Sequence, residues 1–281
     1  MSGASVAAPA SGVRHWVVCA DDFAVDSGAV EGILRLIERE RLTATSALVD
    51  APLWPAAAQR LLAAGTPADV GLHLNLTQSF AHRPQQVWPL PALILACRLG
   101  RIDRAGLRTA IERQLAAFED AMGRRPDYID GHQHVHQFAV VRDLLLEALQ
   151  RRYGDTPPWI RSTRAPSALR GFKARIIATL GDAGLRRRAA QTGVRMSRYL
   201  VGAYDFLADQ DAYLRHLAHW IQVGPSGSVL MCHPAAHAQP GDPIGAARAM
   251  EFAVLGGSAF PQMLAHANIR VVRGCALFAQ R

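Results

Sequence analysis

Four short stretches of this chain carry side chains that can bind a metal or move a proton. The first is the pair Asp21-Asp22, which follows the apolar run His15–Ala20. The second is His73, inside Gly71-Leu-His-Leu-Asn-Leu-Thr77. The third is Asp130-Gly-His132-Gln-His134-Val-His136, and the fourth is His233, between Cys232 and Pro234. Adjacent carboxylates repel unless a cation or proton compensates them, so one Asp can bind a metal while the other stays free as a base. Neutral imidazole is a frequent ligand for divalent ions. If the strand continues through 132–136, period-two spacing puts His132, His134 and His136 on one face. Some of the three then serve as ligands and others bind substrate or support the ligands from behind. His233, directly after a strand, is a candidate general acid.

These groups are far apart in sequence, so the fold must collect them. Strands are expected at His15–Ala20, Ala44–Val49, Asp69–Thr77, Tyr128–Asp130, Trp159–Arg161, Ser228–Cys232 and Ile269–Val272. Helical spacing of apolar residues is expected over Ser27–Arg41, with Ser27 as its cap, and over Pro55–Ala64. It recurs over Arg104–Gly123, Val140–Tyr153, Asp211–Val223 and Met250–Ala265. Alternation of strand and helix implies an α/β fold with parallel strands and outer helices. The expectation is a (β/α) barrel, incomplete or distorted relative to the TIM type. Its C-terminal strand ends converge on one pole, which brings the four stretches together. Along Asp69–Thr77, Leu72, Leu74 and Leu76 face one way, while His73 and Asn75 face the other. Arg161 and Arg164 follow a strand and are candidates to orient Asp21 or to bind substrate. Two segments interrupt the rhythm, a proline-rich stretch over Gln78–Ile102 and an Arg-rich helical insertion near 165–202. Domain organisation is read as a tail over 1–12 and one barrel domain over 13–281.

Half of the residues are apolar, and the formal net charge is +8. No run approaches the roughly 18 uncharged apolar residues of a membrane helix. The start lacks the features of a secretory signal, so the expected location is cytoplasmic. The four cysteines form no C-x-x-C pair and are expected to be small core residues. Between Arg161 and Arg198 lie ten basic residues and one acid, Asp182. That imbalance suits an anionic or lipid-linked partner, but no nucleic-acid motif accompanies it. A homodimer is the default assembly.

The stretches Ala20-Asp-Asp-Phe23, Thr43–Val49, Gly71–Thr77, Asp130–His136 and Met231-Cys-His-Pro-Ala235 resemble the YdjC-like carbohydrate deacetylases. That family includes chitooligosaccharide deacetylases and hopanoid-biosynthesis-associated deacetylases. The resemblance implies a barrel related to polysaccharide deacetylases and a divalent ion, Mg²⁺ or Zn²⁺. It implies Asp22, His73 and His132 as metal ligands, Asp21 as catalytic base and His233 as the group that aids the leaving amine. His134, His136, Arg161 and Arg164 are the expected substrate contacts. Ala24 stands where the family commonly has glycine. The expected reaction is removal of acetyl from an N-acetylated amino sugar by activated water. A metal-dependent phosphoesterase or other amidohydrolase uses similar residues, and a basic binding protein is a non-enzymatic alternative.

Overall fold

Parallel pairing joins every strand of the computed structural model, which describes residues 12–65, 67–80, 87–169 and 172–278. The chain runs β1 (Arg14–Phe23), α1 (Ser27–Glu38), β2 (Ala44–Ala47), α2 (Trp54–Ala63), β3 (Asp69–Leu74), α3 (Leu90–Leu99) and α4 (Arg104–Met122). It continues through β4 (Tyr128–Gly131), α5 (Ala139–Tyr153), β5 (Trp159–Ile160), α6 (Phe172–Thr179), α7 (Asp182–Gln191) and β6 (Tyr199–Val201). It ends with α8 (Gln210–Val223), β7 (Ser228–Cys232), α9 (Gly245–Gly256), α10 (Ala259–His266), β8 (Ile269–Val271) and α11 (Gly274–Phe278). Strand order is β5-β4-β3-β2-β1-β7-β6. The sheet curls until its outer strands meet, where Ile160 bridges Met196 and the Ser197 amide donates to the Ile160 carbonyl at 3.0 Å. The result is the expected (β/α) barrel in a distorted, seven-stranded form. β8 adds a short strand beside the start of β1.

The barrel has two apolar layers, and the alternation of side chains along each strand assigns residues to them. Val18, Ala20, Val70, Leu72, Ile129 and Leu230 face the helices. Val17, Cys19, Ala44, Tyr128, Trp159, Leu200, Val229 and Met231 form the separate interior cluster. In α1 the stripe Val30, Ile33, Leu34 and Ile37 is buried, and each such side chain contributes roughly 1.5–3 kcal/mol. Asp26, not Ser27, caps this helix, its carboxylate accepting from the Ala29 amide at 2.8 Å. Both residue types can cap, and the capping residue lies one position earlier than expected.

Three further differences have local causes. The helix expected over 250–265 is two helices, α9 and α10, broken at Gly256-Gly257-Ser258. The Arg-rich stretch near 165–202 contains α6 and α7 but ends in β6, a barrel strand only three residues long. Its brevity and its basic neighbours hide the strand signal. The strand expected at Tyr128–Asp130 ends at Gly131 and does not continue through His136, because Gln133 and His134 take left-handed φ values of 52° and 60°. His132–Gln137 is a tight 3₁₀ stretch, so the three imidazoles do not share a face. The tail expected over 1–12 lies, up to residue 11, outside the described residues.

Candidate active site

Six inward rows of the barrel finish polar at the C-terminal end of their strands. The rows read Val17-Cys19-Asp21, Ala44-Ser46, Gly71-His73, Tyr128-Asp130, Trp159-Arg161 and Val229-Met231-His233, taking every second residue. Gly71 is needed within this layer, because a Cβ there would lie 2.5 Å from the Tyr128 ring. Asp22 breaks the alternation and should face the helices. A β-bulge between Ala20 and Phe23 admits one extra residue against β2. Asp22 is left-handed there, at φ 62°, and so both carboxylates reach the same pole.

Asp22 Oδ1 lies 3.3 Å from His73 Nε2 and 3.0 Å from His132 Nδ1. One ligand atom from each of Asp22, His73 and His132 falls within a 4.8 Å group, close enough to hold one ion. The other Asp22 oxygen accepts from Arg248 Nη2 at 2.7 Å. His73 Nδ1 meets Asp130 Oδ1 at 2.6 Å, which fixes the ring with Nε2 toward Asp22. The donor set, two imidazole nitrogens and one carboxylate oxygen with a braced histidine, therefore fits a divalent ion.

Asp21 is held separately. Arg161 donates to both of its oxygens, at 2.5 and 2.8 Å, and lies 3.0 Å from Asp130. Ser46 donates to Asp21 at 3.2 Å and to Asp130 at 2.7 Å. Burial alone would raise the Asp21 pKa, but Arg161 and then His73 outweigh it and hold the carboxyl far below its usual range. Asp22 is likewise lowered, by Arg248 and His132 against burial. His73 moves the other way. Burial would lower it, but Asp130 and Asp21 push it up to about 10. Burial pushes His233 down to about 4 despite both aspartates.

Asp21, Asp22, His73, His132, His134 and His233 line one cavity of about 1150 Å³. Its walls are mostly apolar: Leu90 and Ile94 from α3, Ile176 and Ile177 from α6, Phe206 and Met231. Three expected contacts lie off this cavity. His136 is fully buried behind the site, its Nε2 2.9 Å from the Arg161 carbonyl. Arg164 is exposed, sits over the Tyr199 ring at 5.1 Å and lines a separate, smaller cavity. Arg161 is fully buried and reaches Asp21, not the cavity.

Sequence reasoning missed Arg248 and Glu251. Glu251 is buried behind His233, accepting from its amide at 2.5 Å and from the Tyr204 hydroxyl at 2.7 Å. Burial pushes it up to about 7. The available signal was helical phase, since Arg248 and Glu251 share the buried stripe of α9 with Ala247, Val254 and Leu255. Charged residues on an apolar stripe need partners inside the protein.

Fold and cluster together define a class: a parallel α/β barrel with a candidate metal centre at its C-terminal pole. A family model described as YdjC-like protein matches residues 15–266, and the chain belongs to that family. It is 30% identical over 262 residues to a carbohydrate deacetylase of Mus musculus, covering 89% of this chain and 76% of that protein. It is 27% identical over 233 residues to a chitooligosaccharide deacetylase of Klebsiella pneumoniae, covering 79% and 82%. A solved structure from Enterococcus faecalis, provisionally described as a cellobiose-phosphate cleavage protein, superposes with TM-score 0.70 at 20% identity. That alignment covers 95% of this chain and 99% of that one. A peptidoglycan N-acetylglucosamine deacetylase structure superposes with TM-score 0.52 at 12% identity, covering 97% and 92%. These two structures speak to the fold alone.

Proposed function

We propose that this protein is a hydrolase that removes the acetyl group from an N-acetylated amino sugar. The observation that carries the reading is the convergence of Asp21, Asp22, His73, His132 and His233 on one cavity, in a family whose relatives are named carbohydrate deacetylases. Asp22, His73 and His132 would hold a divalent ion. Two imidazoles beside one carboxylate suit Zn²⁺ better than Mg²⁺, which prefers oxygen shells. When bound, such an ion supplies Lewis acidity that polarises an amide carbonyl and acidifies water.

The chain's own groups divide the remaining work. Asp21 accepts the proton of the attacking water at a carboxylate oxygen. Arg161 keeps that carboxylate ionised and oriented, at some cost in basicity. His233 gives a proton to the departing amine nitrogen, which leaves poorly without one. With its pKa lowered to about 4, His233 starts neutral and becomes the proton donor when Asp21 hands on the proton it took from the attacking water. His134 lines the cavity and contacts the sugar; His136 and Arg161 support that face from behind.

The aglycone is the finer part of the proposal. Among the described residues, the Arg-rich segment contributes Ile176, Ile177 and Leu180 to the cavity and no arginine. Arg186 and Arg188 pair instead with Asp182 and Asp143. Apolar walls of this kind favour a lipid-linked sugar over a soluble oligosaccharide. The test is acetate release from N-acetylglucosamine oligomers and from an alkyl N-acetylglucosaminide, with and without chelator, beside phosphate release from a generic ester. Chelator-sensitive acetate release, faster with the alkyl glycoside, supports the proposal. Phosphate release without acetate would overturn it.

A further inference from the structure

Helix α3 reads Leu-Pro-Ala-Leu-Ile-Leu-Ala-Cys-Arg-Leu and carries one charge in ten residues. A helix apolar on every side belongs in a core or against lipid. Here only one side is inside. Leu93 and Cys97 are buried, while Leu90 and Ile94 wall the candidate active-site cavity. The outer side leaves Leu95 58% and Leu99 57% exposed. The same pattern recurs on two other segments that wall this cavity. Helix α6 walls the cavity with Ile176 and Ile177 and leaves Ile176 43% exposed, and the loop that supplies Phe206 leaves Leu207 85% exposed. Three separate cavity-lining segments thus each present an uncovered apolar side chain.

Basic residues flank the α3 part of this apolar group, whereas Asp205 and Asp209 flank Leu207. From Leu90 to Arg108 the chain has four arginines and one acid, Asp103. Arg98, Arg101 and Arg104 are all exposed, and no ion pair engages them among the described residues. We infer that α3, Ile176 and Leu207 form a docking surface for an anionic lipid bilayer, with the cavity opening beside it. The arginines meet the lipid phosphates while the leucines enter the headgroup boundary. A second copy of this chain fits the surface poorly. It would bring two molecules of charge +8 together, across a helix only ~15 Å long, short of the ~800 Å² per partner that a stable dimer buries.

The inference concerns binding and is independent of which bond the site cleaves. The full chain is co-sedimented with phosphatidylglycerol vesicles and with phosphatidylcholine vesicles at low and high salt. The expected result is binding to the phosphatidylglycerol vesicles only, weakened by salt. Leu95→Ser/Leu99→Ser should lose on the order of ten-fold or more of that affinity and keep the thermal transition of the parent. Leu207→Ser, outside any helix, reports the same contact should the double variant lose its fold. The inference is overturned if the parent stays in the supernatant at low salt or if the leucine variants sediment equally well. A dimer in light scattering that Leu95→Ser/Leu99→Ser converts to monomer also overturns it, in favour of self-association.

Discussion

Carboxylate clusters sit at both ends of this barrel, yet they are not alike. At the C-terminal strand ends, Asp22 groups with His73 and His132. At the N-terminal ends, Asp69 and Asp127 group with Cys275 at similar separations. The second cluster is already filled. Asp69 accepts from Arg273 Nε and from the Cys275 amide, each at 2.7 Å. Asp127 accepts from the Val70 amide at 2.8 Å and pairs with Arg124 at 3.0 Å. Those bonds tie β3, β4 and the chain after β8 together. The first cluster instead opens on the cavity, and two imidazoles there converge on a single carboxylate oxygen. A third group, Cys19, Asp21 and Asp130, has ligand-like spacing too, but the Arg161 guanidinium occupies the cation's place. Ligand spacing is therefore common to all three, and what separates a candidate centre from a clasp is whether internal donors already satisfy it.

The sharpest test of that contrast exchanges one acid at each pole. Asp21→Asn should lower kcat for acetate release by roughly 10²–10⁴ and leave the fold intact. Asp69→Asn should leave kcat alone and cost about 1–3 kcal/mol in urea unfolding, as buried donors lose their acceptor. Equal loss of activity from both would erase the distinction between the poles.

Arginine replacement comes next. Arg161 is fully buried between Asp21 and Asp130, so Arg161→Met strands two carboxylates and should cost about 3–5 kcal/mol. Arg273 is 43% exposed, and Arg273→Met should cost about 1 kcal/mol or less. Chemical denaturation measures both. A mild Arg161→Met would mean that water or an ion reaches that network.

Metal binding should also depend on pH with a defined sign. In the metal-free chain His73 is pushed up to about 10 from an ordinary 6.5, because Asp130 and Asp21 outweigh burial. The folded value exceeds the unfolded one. The stability it gives is therefore present below pH 6.5 and is lost as pH rises toward 10. Ligation needs neutral Nε2, so an ion must displace the proton. Zn²⁺ affinity by calorimetry should rise about ten-fold per pH unit between pH 6 and 8. A flat profile would mean that His73 is neutral before the ion arrives.

Much of this arrangement can be read from residue alternation. Alternation along β3 set His73 on the face opposite Leu72 and Leu74, and strand-end convergence brought Asp21, Asp22, His73, His132 and His233 to one pole. Three things escaped, each for a physical reason. The reversal at Gln133 and His134 depends on left-handed backbone that neither residue type announces. It sends His136 behind the site while His132 meets Asp22. β6 is three residues long and borrows its identity from pairing with β7. Arg248 and Glu251 lie on a helix far along the chain, where only contacts across the barrel reveal that Arg248 holds Asp22.

Ala24 tests the smallest part of the contrast, the turn that lets two adjacent aspartates share a pole. It follows the bulge at φ 76°, fully buried, where a residue with a Cβ pays about 1–2 kcal/mol of backbone strain. Glycine relieves that strain but gives back about 0.5–1 kcal/mol through the freedom of the unfolded chain. Ala24→Gly should therefore stabilise the protein by about 0.5–1 kcal/mol, a rise of ~2 °C in Tm. If the turn serves only to reverse the chain, Zn²⁺ affinity stays unchanged. If stability rises while affinity falls, the stiffness of Ala24 is what holds Asp22 against His73 and His132.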